Sequence, residues 1–469
     1  MSFVSVTFVV FLVAVFGLYW ALGGKRRQWQ NALLLVASLV FYGWVEWQLT
    51  GLLLLAGLSS WAAGRVIGHA PDKPSASLAF WSAIVLNLGI LGLFKYFNFF
   101  ADNFAAVFTA MGWRVDAVTL RLVLPVGISF YTFQAVAYVV DVRRRTVEAC
   151  RNVIDYLAFL CFFPQLVAGP IERATSLLPQ MRTRRTFDSA LAVDGLRQML
   201  WGFVKKVVVA DSCGVIVDQV WHNPAAAGMP QLWLASLLFA MQIYADFSGY
   251  SDIAIGCGKL FGIRLRRNFD TPFFATNMAR LWRRWHMSLM EWFRDYVYIP
   301  LGGSRHGQIR RAVNILIVFL LSGLWHGAAW TFVLWGLFNG VLVLLSKRAK
   351  QSSADFRPAD LLLMFVTTML FALTFVAFRA PSTVEAFRYY HLMLTPSWVM
   401  PYGWHALAYA MAMLAVEWVS RRRAHGLQIV GHGALAYAPV RWLMYYALVM
   451  TVIVFYLSSE QVAFIYFRF

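Results

Sequence analysis

The chain has 469 residues, 60% of them hydrophobic and 13% charged, with a formal net charge of +19 and a mean hydropathy of +0.61. A soluble domain is about 25% charged, and its core could not house so many long apolar blocks, so the composition excludes a soluble globular protein and predicts a polytopic, all-α integral membrane protein. Lys and Arg gather in short segments between the apolar blocks, as the positive-inside rule expects, and no zinc-finger, RNA-binding or helix-turn-helix pattern accompanies them, which excludes nucleic acid as the partner of that charge.

The first apolar block, FVSVTFVVFLVAVFGLYWAL (3–22), has no basic residues before it and is followed by GKRRQ (24–28). A secretory signal carries its charge in front, so this block is predicted to be a first transmembrane helix with its cytoplasmic end at Lys25–Arg27. Further apolar blocks lie near 31–48, 50–68, 78–100, 120–140, 152–168, 195–220, 231–258, 312–325, 328–346, 361–379, 403–420 and 437–459. A full span needs about 20 residues, so 152–168 and 312–325 read as re-entrant or broken helices, and roughly 10 to 12 full spans are expected. Basic loops at 24–28, 141–151, 171–185, 262–270, 346–350 and 421–426 are cytoplasmic by rule, which places both termini on the outer face. No internal repeat or linker divides the chain, and a single domain over 1–469 is expected.

Several blocks carry polar residues at membrane depth. LPVGISFYTFQAVAYVVD (124–141) holds Ser129, Tyr131, Thr132 and Gln134, which either bind helices together or line a cavity. FFPQLVAGPIER (162–173) has Pro164 and Gly169–Pro170, which break a helix. MQIYADFSGYSDIAIG (241–256) places Asp246 and Asp252 in an apolar span, with Ser248, Tyr250 and Ser251 between them and Gly249 permitting a break. Such carboxylates are costly unless paired with Lys or Arg or exposed to a wet cavity, and cavity lining is the expectation here.

The segment 264–311 holds many charges and aromatics but no clean span. Helical spacing puts Trp282, Trp285 and Trp292 with Arg283, Arg284 and Arg294 in an amphipathic pattern. It reads as an interfacial helix or as one dipping in from the cytoplasmic side to build a substrate site. His286 lies within it, and Glu291, five residues on, is off its helical face. In SGLWHGAAW (322–330) an ionisable His326 sits inside a span beside Trp325, with Gly323 and Gly327 around it and GLFNG (336–340) repeating the spacing. Either His326 does chemistry or it is a neutral histidine bonded between helices; the small residues place it at a crowded junction. The four cysteines (150, 161, 213, 257) form no C-x-x-C pair, and no His cluster supplies metal spacing, so no metal is expected. FIYFRF (464–469) puts Tyr466 just beyond the last block, where an aromatic anchor at the membrane interface is the plain reading.

In order, LPVGISFYTFQ, FFPQLVAGPIER, YADFSGYSDIAIG, NFDTPFF, RRWHMSLMEWFRDYVYIPLGG and SGLWHGAAWTFVLWG resemble the motifs of the membrane-bound O-acyltransferase family, in particular its bacterial alginate O-acetyltransferase branch. The resemblance implies a ring of tilted helices around a tunnel joining the two faces. It places the family's membrane histidine on His326 and its second polar position on His286, with Asp246, Ser248, Tyr250, Asp252, Gln134 and Trp325 as tunnel-lining residues. It implies an acyl thioester donor from the cytoplasm, acetyl-CoA or another, as substrate with no bound cofactor. Arg283, Arg284 and Arg294 would take its phosphates. The acceptor it implies is an extracellular polysaccharide, reached through a periplasmic partner of the SGNH acetyltransferase or polysaccharide-modification type, with the protein held among lipids of the bacterial inner membrane. A similar aromatic ending in related cell-envelope systems implies that Tyr466 carries the acyl group as an ester.

His326 is then expected to act as general base. Peptidoglycan O-acetylation and D-alanyl transfer to teichoic acid are the alternatives within the class. A proton-coupled transporter or exporter subunit is the alternative outside it; it would predict inverted repeats, of which the sequence has none.

Overall fold

Ser5 opens the first helix by accepting the Phe8 N–H on its side-chain oxygen at 3.1 Å, an N-cap that satisfies one of the free donors of the first turn. The computed structural model describes residues 1–23, 27–44, 46–113, 119–120, 122–167, 169–346, 357–429 and 433–458, and every regular element among them is helical. The chain divides into two compact units, Met1–Ala192 with Cys257–Arg266 and Val193–Gly256 with Arg267–Phe469.

In the first unit the helices are α1 (Val6–Ala21), α2 (Arg27–Gly43), α3 (Thr50–His69), α4 (Pro74–Leu91), α5 (Phe97–Ala110), α6 (Ile128–Arg143), α7 (Val153–Leu160), α8 (Phe163–Leu166) and α9 (Ala174–Arg182). α3, α4 and α6 pack on one another, and α7 packs on α2 and α9. α6 is buried on nearly every side, its polar residues Ser129, Thr132 and Gln134 included, so its sequence shows no single apolar face. It starts at Gly127, whose φ of +73° is open only to glycine at low cost and whose missing side chain leaves room for the Leu166 carbonyl. The expected break in 152–168 is present: α7 ends at Leu160, and Pro164 sits in the single turn of α8, which starts at Phe163. Two buried carboxylates inside this unit are matched. Asp155 accepts from Arg27 Nη1 at 3.1 Å and from Asn31 Nδ2 at 2.7 Å. Glu172 accepts the Arg266 N–H at 2.5 Å and the Ser176 hydroxyl at 2.9 Å.

α10 (Ser189–Phe203) leads into the second unit, followed by a π-helical stretch, Val204–Ala210, and α11 (Asp211–His222). Then come α12 (Met229–Leu260), α13 (Met278–Arg284), α14 (Met287–Phe293), α15 (Gly307–His326), α16 (Trp330–Leu345), α17 (Pro358–Arg379), α18 (Thr383–Leu394), α19 (Trp404–Val419) and α20 (Ala438–Ser458). α15 and α16 form a close antiparallel pair, and α17 packs on α16. A Cβ at Gly323 would strike the Phe332 carbonyl and one at Gly336 the Phe319 carbonyl, so the two backbones touch where side chains would otherwise stand.

Among the described residues, five stretches are long and apolar enough to cross a membrane: Trp47–His69, Pro74–Ala110, Gly307–His326, Pro358–Arg379 and Ala438–Ser458, with α1 and α16 apolar but shorter. Two readings of the sequence change. The block at 312–325 is the inner part of α15, whose first turns are the polar GQIRR, so it is a full-length helix and not a short one. α12 runs unbroken for 32 residues through Gly249. That glycine serves packing instead: a Cβ there would meet the Gly202 carbonyl at 2.8 Å and the Lys206 backbone nitrogen at 3.2 Å.

Candidate functional site

His326 is the last residue of α15, where Gly327 (φ −159°) turns the chain out of the helix and α16 starts three residues later at Trp330. The ring is 6% exposed and held edge-on by Trp325 (4.9 Å between centroids, 84°), Trp335 (5.0 Å, 85°) and Phe378 (5.4 Å, 70°). Three elements build this aromatic shell, because Trp335 belongs to α16 and Phe378 to α17. The glycine contacts between α15 and α16 let the rings close around the histidine.

His286 joins α13 to α14 with φ 42° and ψ 52°, a left-handed conformation that is uncommon for a residue with a side chain. It is 1% exposed, and its ring packs on Phe247 (4.6 Å, 84°) and Trp325 (5.6 Å, 59°). Trp325 therefore contacts both histidines. His286 lies in none of the crossing helices, and burial pushes its imidazole down to about 3, so the ring is neutral at physiological pH.

Beside α13 and α14 opens a cleft of about 670 Å³ lined by Arg280, Arg283, Arg294 and Arg311. Glu291 and the apolar faces of Trp282, Met287 and Phe319 complete its walls. Its volume falls in the usual range for a small-molecule site. Arg294 is also forked onto Asp295, Nε to Oδ1 at 2.7 Å. Arg284 is half-buried and does not line the cleft; its carbonyl accepts the Asp270 N–H at 2.9 Å. Trp282 stands between the cleft and the histidine shell, 5.7 Å from Trp335 on one side and lining the cleft on the other.

Asp246 and Asp252 meet a pair of lysines from the π-helical stretch. Lys206 Nζ is 3.1 Å from Asp246 and 2.8 Å from Asp211, while Lys205 Nζ is 2.5 Å from Asp252 and 3.9 Å from Glu417. Glu417 accepts the Tyr244 hydroxyl at 2.9 Å, and Asp252 accepts Gln198 Nε2 at 2.7 Å. Asp246 is thus taken up by pairing. Asp252 is paired and also lines, with Ser248, Lys205 and Glu417, a small polar cavity of about 30 Å³. That is room for about two waters. Tyr250 is buried at 3% and is not among the residues of that cavity. Gln134 is buried in α6 of the first unit, and Tyr466 lies outside the described residues.

The site's surroundings include residues the sequence reading passed over. Lys205 and Lys206, 3% and 1% exposed, were visible as two adjacent charges in the apolar run WGFVKKVVVA (201–210). Arg280 and Arg311 were visible only as two charges among many, Asn268 only as the first residue of NFDTPFF, and Glu417 becomes significant through a partner distant in sequence. Among the described residues, no group of His, Cys, Asp and Glu has the arrangement of a metal site.

Comparison with known proteins adds the following. The model of the membrane-bound O-acyltransferase family (MBOAT) matches residues 150–362. A probable alginate O-acetylase of Pseudomonas aeruginosa is 38% identical over 401 residues, covering 84% of this chain and 75% of that protein. A peptidoglycan O-acetyltransferase of Helicobacter pylori is 33% identical over 385 residues, covering 76% of this chain and 72% of that protein. A teichoic acid D-alanyltransferase of Bacillus subtilis is 25% identical over 339 residues, covering 69% of this chain and 81% of that protein. His286, His326 and the arginine-lined cleft all fall within the family match.

Proposed function

The chain belongs to the membrane-bound O-acyltransferase family and is a multi-pass membrane O-acyltransferase, and on that premise we propose that it acetylates the hydroxyls of an extracellular polysaccharide such as alginate. The observation that carries this reading is the shared wall at Trp282: an arginine-lined cleft on one side and the aromatic shell of His326 on the other. The cleft offers charge-assisted hydrogen bonds for the phosphates of acetyl-CoA and apolar surface for its pantetheine arm. Arg280 and Arg311 join Arg283 and Arg294 in that role. The identity to alginate O-acetylases, 38%, is higher than the 33% and 25% to the peptidoglycan and teichoic acid enzymes, which ranks those acceptors second.

His326 takes the proton of the acceptor hydroxyl as its oxygen attacks the thioester carbonyl carbon. The tetrahedral intermediate then collapses, the C–S bond breaks, and the thiolate leaves with the proton returned from His326. His286, neutral, hydrogen-bonds the oxygen on which negative charge develops. The first acceptor is Tyr466, whose phenol ester passes the acetyl to a periplasmic partner of the SGNH type or directly to the polymer, with both termini on the periplasmic face of the inner membrane. The apolar shell keeps water from the thioester.

The test supplies purified protein with acetyl-CoA bearing a heavy-isotope acetyl group, and follows label in CoA turnover, in added polysaccharide and in the C-terminal peptide by mass spectrometry. Label in the peptide at Tyr466 and in the polysaccharide is expected. Label in the polymer with Tyr466→Phe would remove the carrier step, and no CoA turnover by folded protein would overturn the choice of donor.

A further inference from the structure

His286 holds a backbone conformation that its own chemistry does not favour, since a side chain at positive φ crowds the backbone. Something outside the residue must fix it. The segment Asn268–Thr271 lies alongside Arg284–Met287 and is joined to it by two main-chain bonds, Met287 N–H to the Asn268 carbonyl at 2.8 Å and Asp270 N–H to the Arg284 carbonyl at 2.9 Å. Each segment carries one left-handed residue, Thr271 (φ 45°) and His286 (φ 42°). A β-branched residue there is an outlier, and such outliers persist only where their surroundings over-determine them.

Asn268 supplies that surrounding. It is fully buried. Its Oδ1 accepts the Ser288 hydroxyl at 2.6 Å, and its Nδ2 donates to Ser251 Oγ on α12 at 3.2 Å. With the carbonyl bond to Met287, Asn268 grips both residues that follow His286 and ties them to α12. That same helix supplies Phe247, against which the His286 ring packs.

We propose that Asn268 is the positioning residue of His286, its side chain locking the 286–288 turn to α12 so that the imidazole is aimed between Phe247 and Trp325. This rests on the reading of His286 as a group that touches the reacting thioester. Loss of the clamp leaves the donor cleft standing, because the arginines reach it from α13, α15 and the π-helical turn Arg294–Tyr298. It lets the ring drift, and a misplacement of about 1 Å costs about a hundredfold in rate.

The experiment compares Asn268→Ala, His286→Ala and the double variant in full-length protein, reading kcat and donor KM for acetyl transfer. Asn268→Ala is expected to lower kcat between about tenfold and a hundredfold with donor KM within twofold. The double variant is expected to be no slower than His286→Ala alone, since a clamp has nothing left to position. Multiplying losses in the double variant would overturn the clamp while leaving the role of His286 standing, as would wild-type kcat in Asn268→Ala. Wild-type kcat in His286→Ala would instead sink the role of His286 itself. Ser288→Ala cuts the same bond from the other side and, should Asn268→Ala fail to accumulate, is read by the same criteria.

Discussion

The indole of Trp335 meets the imidazole of His326 edge to face, 5.0 Å between centroids at 85°. Trp335 is 1% exposed, one turn and a half into α16, and reaches back across the hairpin to the last residue of α15. The contact exists because Gly323 and Gly336 bring the two backbones together. The imidazole is thereby fixed by packing and screened from bulk water.

His326→Ala should abolish acetyl transfer, by a factor of about a hundred to ten thousand if the ring is the general base, while the protein still reaches the membrane in normal amount. Polymer acetylation is measured alongside membrane abundance. Transfer at the wild-type rate would remove His326 from the chemistry.

Arg280→Ala and Arg311→Ala should each raise the KM for acetyl-CoA about tenfold, the worth of one charge-assisted hydrogen bond to a phosphate, with kcat unchanged. The effect should shrink as salt is added. A KM within twofold of wild type in both variants would mean that the donor binds elsewhere.

Lys206→Met should destabilise the protein by about 3–5 kcal/mol, since it strands Asp246 and Asp211 in a buried site. Adding Asp246→Asn should recover part of the loss. Denaturant unfolding in detergent measures both; equal stability of wild type and Lys206→Met would show that the pair contributes nothing.

Stability should depend on pH through His286. Unfolded, its imidazole titrates near 6.5; folded, burial holds it near 3. Between those values the unfolded chain binds a proton that the folded one refuses, so stability is full above pH 6.5 and falls as pH drops toward 3. His286→Gln cannot titrate and should show a shallower decline over that window. Unfolding curves at pH 7, 6, 5 and 4 compare the two, and identical slopes would refute the assignment.

The all-helical membrane architecture was legible because hydropathy and basic loops are local signals. The crowded junction at His326 was legible too, since Gly323, Gly327 and Gly336 advertise close approach by their spacing. Asp246 and Asp252 were visible as buried charges, but their partners were not. Tyr244 and Glu417 stand 173 residues apart in the chain, and no periodicity joins such a pair. Gly249 looked like a helix break because a glycine lowers propensity; the Gly202 backbone against it overrides that preference. Asn268 was visible only as the first residue of NFDTPFF; its role was not, because a clamp is defined by what it grips.

Trp282 faces two compartments with a single indole, lining the cleft with one side and touching Trp335 with the other, while its N–H is tethered to Asn339 Oδ1 at 3.2 Å. A ligand that shifts the indole from the cleft side presses on the stack around His326. Thermodynamic linkage makes such an influence mutual: whatever a ligand in the cleft does to binding beside His326, a ligand beside His326 does in equal measure to binding in the cleft. One tethered ring is thus all the wall there is between the arginine-lined cleft and the aromatic shell of His326.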